Sequence, residues 1–146
     1  MSFDDVKRRL QSSPTRQVGT GATEAEIHLA EHQLGVQIRG PFRDFLKTFG
    51  WGGAGSFELY GLGHDAPEHL NLARLTESER VEMRPRLPAN LLPIMNDGGG
   101  NLCCLDTSCE QPPVVLWDHE AGEDQVPTLE ATSFDEWLLH LVESSR

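Results

Sequence analysis

No run of apolar residues in this chain is long enough to cross a membrane. A spanning helix needs roughly 20 in a row, and nothing in these 146 residues approaches that. The opening Met1-Ser2-Phe3-Asp4-Asp5-Val6 has neither a basic n-region nor an apolar h-region, so no signal peptide is expected. Cysteine is scarce, with 3 residues: the adjacent pair Cys103 and Cys104, and Cys109. An odd number without a secretion signal builds no disulfide framework and fits a reducing compartment. A cytoplasmic protein is expected. Positive charge is also short, at 12 lysines and arginines against 23 acidic residues and a formal charge of -11. Such a field repels nucleic acid and anionic membranes, and speeds encounter with a basic partner.

Signatures of catalysis are missing too. There is no Gly-x-Ser-x-Gly elbow. Gly98-Gly99-Gly100 lies between two apolar runs rather than between a strand and a helix, and no Lys-Ser/Thr follows, so it is no phosphate cradle. The three cysteines lack the paired knuckles of structural zinc. Cys103 and Cys104 are expected as small strand residues, at least one of them in the core. Asp118-His119-Glu120 could ligate a metal, but neighbours along a strand point to opposite sides. His64, Asp65 and His69 are spaced loosely. Arg80, Arg84 and Arg86 form an isolated cluster without the interleaved aromatics of a nucleic-acid binder. No cofactor, metal or catalytic residue is assigned.

The residues that are present read as helices, then short strands, then a helix. Phe3, Val6 and Leu10 put one apolar face on a first helix. Thr23 and Glu26 form a capping box for a second, which carries Ile27, Ala30 and Leu34 and stops at Gly35. Pro41 suits the first turn of a third, whose stripe is Phe42, Phe45, Leu46 and Phe49. Trp51 to Ser56 is a glycine-rich loop, and Phe57 to Leu62 is a strand. Thr76 to Glu79 matches a second capping box, for a charged helix ending before Pro85. Leu91 to Met95 is a strand whose Pro93 argues for an edge or a strand start. The Asp97 to Gly100 turn leads into a strand from Leu102 to Asp106, followed by strands at Val114 to Trp117 and Val126 to Leu129. Ser133 and Glu136 cap a final helix with Phe134, Trp137, Leu138, Leu141 and Val142 on one face.

Consecutive strands joined by short turns must be antiparallel. The expected class is therefore α+β: one domain over 1–146, with an antiparallel meander packed by N-terminal helices and a C-terminal amphipathic helix. Its core spans about 23–142, with a helix in 1–12 and a connector in 13–22.

Three segments together resemble the Smi1/Knr4 (SUKH) family. The first runs from Leu34-Gly35 to Pro41-Phe42-Arg43-Asp44-Phe45-Leu46-Lys47-Thr48-Phe49-Gly50. The second runs from Leu92-Pro93-Ile94 through Asp97-Gly98-Gly99-Gly100-Asn101 to Leu105-Asp106, then Val115-Leu116-Trp117-Asp118-His119-Glu120. The third is Ser133-Phe134-Asp135-Glu136-Trp137-Leu138. Ile38-Arg39-Gly40-Pro41 and Gly50-Trp51-Gly52-Gly53 depart from the family pattern in local loop detail. The resemblance implies a protein-binding module without catalytic residues, of the kind that supplies bacterial immunity proteins. The expected partner is a toxin domain, and the acidic balance suits a basic nuclease. A regulatory or scaffold domain without a toxin is the alternative. Motif glycines, Asp106 and Trp117 are expected to be structural. Partner contact is expected instead at Trp51, Asp118, Glu120, Glu123 and Asp124.

Overall fold

The computed structural model describes residues 2–145. Helix α1 (Phe3–Gln11) buries Phe3, Val6 and Leu10. Helix α2 (Glu24–Leu34) begins at the expected box: Thr23 Oγ1 accepts from the Glu26 N–H at 3.1 Å, and Glu26 Oε1 accepts from the Thr23 N–H at 2.9 Å. It ends where Gly35 takes a φ of 68°, left-handed backbone that glycine adopts without a Cβ clash. Helix α3 (Pro41–Thr48) has proline in its first turn, as expected.

Helix α4 (Leu72–Val81) corrects the second capping box. Asn71 is its N-cap, with Oδ1 accepting from the Arg74 N–H at 3.1 Å. Thr76 sits fully buried in mid-helix, its hydroxyl donating to the Leu72 carbonyl at 2.7 Å. The Thr-x-x-Glu spacing is there, but Asn71 satisfies the orphan N–H one turn earlier. The last helix, α5 (Phe134–Ser144), starts at Ser133 and buries Phe134, Trp137, Leu138, Leu139 and Val142.

The α+β class and the antiparallel pairing are as expected, but the strands divide between two sheets. One has the order β1 (Arg16–Val18), β2 (Gly52–Ala54), β3 (Phe57–Leu59). The other is β4 (Leu91–Asn96), β5 (Leu102–Asp106), β6 (Val114–Trp117), β7 (Thr128–Ala131). Just after β3 the Tyr60 N–H donates to the Ile94 carbonyl at 2.8 Å, which links the sheets. Residues 13–22, expected as a connector, thus hold a strand, and so does the expected loop 51–56. Close approach explains the glycines there: a Cβ on Gly52 would collide with the Gln17 carbonyl, and one on Gly53 with the Phe57 carbonyl. Composition marked a loop where packing made a strand.

Helices α1, α3 and α5 pack on each other over one face of the four-stranded sheet. Phe134 meets Phe42 edge-on at 5.2 Å and Phe45 at 5.9 Å. Each such ring contributes roughly 1.5–3 kcal/mol by burial, and each edge contact about 1 kcal/mol more. Strand β5 is buried on both sides. Cys103 and Leu105 face this core, while Leu102 and Cys104 face a second cluster with Leu87, Leu91, Val115 and Trp117. Both adjacent cysteines are therefore core residues, and Pro93 sits in β4, at one end of the strand order, beside a register shift, in keeping with an edge.

Candidate binding surface

The register Asn96↔Leu102↔Trp117 brings the β4–β5 turn and the β6–β7 loop to one end of the sheet. The turn is held by its own side chains. Asn96 Oδ1 accepts from the Gly98 N–H at 2.8 Å, and Asp97 Oδ1 accepts from the N–H groups of Gly99 at 2.8 Å and Asn101 at 3.1 Å.

The loop is fastened to the turn by His119. Asn101 Oδ1 accepts from the His119 backbone N–H at 3.1 Å and lies 2.6 Å from its Nδ1. An amide oxygen has no proton to give, so Nδ1 carries it. The imidazole lies against Gly100, where a Cβ would come within 3.0 Å of the ring. Gln125 braces the loop from inside: Oε1 accepts from the Asp118 N–H at 3.0 Å, and Nε2 donates to the carbonyls of Asp118 at 2.8 Å and Gly122 at 3.1 Å. Asp118 Oδ1 caps the Glu120 N–H at 2.8 Å. The carboxylates of Glu120, Glu123 and Asp124 are left pointing at water from an ordered loop, with the Glu120 side chain 82% exposed.

The structure thus brings together four of the five expected contact residues. Trp51 belongs to the other sheet. It is half-buried, packs on Gly19, and donates its indole N–H to Asp65 Oδ1 at 3.0 Å. Its hydrogen bond goes to the 61–66 loop, not to the acidic one.

Charge is segregated along the chain. Eleven of the 12 lysines and arginines lie at or before Arg86, and the twelfth is Arg146. Of the 23 acidic residues, 12 lie at or before Glu82 and the other 11 between Asp97 and Glu143. The first stretch nearly balances; residues 87–145 carry essentially the whole excess. Within that stretch and among the described residues, an arginine ion pair reaches Glu143, from Arg9 at 3.8 Å. The four-stranded sheet, its loops and α5 therefore present carboxylates with no lysine or arginine between them. This signal stands in the sequence as a long cation-free stretch, which a whole-chain net charge averages away.

Other candidate chemistry is absorbed by structure. Burial pushes both Cys103 and Cys104 thiols far up, away from the reactive thiolate. Cys103 Sγ donates to Glu130 Oε1 at 3.1 Å. His69 Nε2 lies 3.1 Å from Glu58. Asp106 is a turn anchor, as expected: its Oδ1 accepts from the Ser108 hydroxyl and N–H and from Asn90 Nδ2. Burial raises its carboxyl, but those donors outweigh it and hold the group below the usual range. A shallow groove of about 590 Å³ runs beside α2 and α3; of its lining charges, Arg43 pairs with Glu31 at 3.5 Å and with neighbouring Glu24 at 2.5 Å. Among the described residues no three His, Cys, Asp or Glu side chains converge on a metal position, and no helix is long and apolar enough to cross a membrane.

A family model described as SMI1-KNR4 cell-wall matches residues 3–143. The chain belongs to the SMI1-KNR4 (SUKH) family. The match takes in α1 and β1 as well as the three resembling segments. The SPbeta prophage-derived uncharacterized protein YokK of Bacillus subtilis (strain 168) is similar to this SUKH chain, with 25% identity over 177 aligned positions. The alignment covers 98% of the chain and 88% of YokK.

Proposed function

We propose that this SUKH chain is an immunity-type binding protein. It docks a basic toxin domain in a one-to-one complex in the cytoplasm and neutralises it by occlusion, with no chemical step of its own. The observation that carries the reading is the charge segregation, which leaves one end of the sheet with Asp118, Glu120, Glu123 and Asp124 on a braced loop. Family membership supports it, since the family supplies many immunity proteins.

The physics favours this use of the surface. Exposed carboxylates with no lysine or arginine among them raise the encounter rate of a cationic partner. A loop already ordered by Gln125 and His119 loses little conformational entropy on binding. An acidic surface also suits the phosphate-binding face of a nuclease, which it would cover in place of nucleic acid. Trp51 is left out of the proposed contact because its polar edge already serves Asp65.

The test is co-expression with a toxin-like domain encoded beside this chain. Rescue of growth, with a salt-labile one-to-one complex on purification, is the expected result. A partner that binds without any toxic activity would favour the regulatory scaffold instead.

A further inference from the structure

Strand β7 ends its sheet, and among the described residues its outer edge pairs with no strand. Successive residues of a strand point to opposite faces, yet Thr128, Leu129 and Glu130 are all exposed. So side chains reach solvent on both faces of Thr128–Glu130, while α5 packs against the far end of the strand, where Ala131 meets the core. Beyond the ladder to β6, no backbone hydrogen bond reaches residues 126–132 among the described residues. Its outward N–H and C=O groups therefore face solvent, which is the arrangement that invites another strand. Two large apolar side chains stand at this edge: Val126 is 89% exposed and Leu129 60%.

Natural edges are commonly guarded by lysine. Here the guard is anionic. Glu123 and Asp124 lead into the strand and Glu130 lies on it, turned inward to Cys103 Sγ at 3.1 Å, with no lysine or arginine anywhere in 87–145. A second copy would bring the same negative charges opposite these, and like charges facing across a ladder repel. An extended segment carrying lysine or arginine meets no such barrier.

We propose that β7 is a strand-addition site for an extended basic segment of the protein partner. The segment pairs its backbone with the outer edge of β7. Its apolar side chains lie on Val126 and Leu129, and its cations on Glu123 and Asp124. Backbone hydrogen bonds supply affinity and the alternating side chains supply selection. The inference rests on the acidic-surface reading and adds to it a defined backbone geometry.

The probe is a short synthetic peptide alternating lysine and valine, compared with the same peptide N-methylated at alternate residues. N-methylation keeps charge and side chains but removes the donors that one strand edge needs. The expected result is binding of the first peptide to the full chain, with slowed amide exchange at Thr128 to Ala131. Affinity should fall at least about tenfold with the methylated peptide and with Leu129→Lys, which is exposed and leaves folding intact. Equal binding of both peptides would overturn strand addition while leaving the acidic surface standing. Binding of neither would overturn both. A dimer of the free chain that Leu129→Lys dissociates would show that a second copy occupies the edge, and would also overturn the proposal.

Discussion

The Trp51 indole N–H donates to Asp65 Oδ1 at 3.0 Å, while the other oxygen of Asp65 accepts from the Thr20 N–H at 3.1 Å and the Thr20 hydroxyl at 3.2 Å. One carboxylate thereby ties the chain before α2, the entry to β2 and the loop after β3. Asp65→Asn keeps the shape but not the charge. It should cost about 1 kcal/mol or less, since solvent screens the site. Trp51→Phe should cost a similar amount, and the double variant little more than either, because both remove one contact. Chemical denaturation of the three variants checks this; full additivity would mean that the two groups act independently.

Acid should loosen the same tie. The Trp51 indole first, with the Thr20 donors, holds the Asp65 carboxyl below the usual carboxylate range, although partial burial works against them. A folded-state pKa below the unfolded one contributes stability that is present above the unfolded value, about 3.9. That contribution is lost as pH falls through the folded value. The wild-type thermal midpoint should therefore drop more steeply below about pH 4 than that of Asp65→Asn. Parallel curves would remove Asp65 from the acid transition.

Much of this architecture was legible from residue order. Four helices and the Asp97 to Gly100 reversal follow from apolar spacing, caps and turn glycines, all of which act over a few neighbouring residues; the structural role of Trp117 was legible only through the family resemblance. The division into two sheets was not legible, because Gly52 and Gly53 are required by a Gln17 carbonyl and a Phe57 carbonyl that only the fold brings near. Helix α4 was misplaced because Asn71 and Thr76 both suit an N-cap, and only tertiary burial of Thr76 decides between them. For the binding surface, the acids of the 118–124 loop were legible as charge. Their bracing by Gln125 and Asn101 was not, since it depends on strands that meet through register.

The contact between Gly100 and His119 should govern the order of the acidic loop. Gly100 has a φ of 99°, and a Cβ there would press on the imidazole. Gly100→Ala should cost roughly 1–3 kcal/mol through backbone strain and ring displacement. It should also broaden the backbone resonances from Asp118 to Gln125. A variant with wild-type stability and an unaltered loop would mean that the turn adapts freely.

Arg80 is a second fastener, remote from that surface. Its guanidinium donates to the Leu34 carbonyl at 2.7 Å and the Ala89 carbonyl at 2.9 Å, and its Nε is buried without a partner. Burial pulls its pKa down from the ordinary arginine value. Arg80→Met should cost about 2 kcal/mol. Arg80→Lys should not restore it, because one ammonium cannot span two carbonyls on separate segments. Recovery by lysine would reduce the site to a point charge.

Partner docking turns on the acidic loop. The direct measurement is the affinity of the co-expressed toxin-like domain for the wild type and for the triple variant Glu120→Lys, Glu123→Lys, Asp124→Lys, across a salt series. Asp118 is left in place because its carboxylate caps the Glu120 N–H. Docking through this loop predicts a folded variant with an unchanged thermal midpoint, affinity down by more than about tenfold, and a flattened salt dependence. Wild-type affinity with an unaltered salt slope in that variant would contradict it.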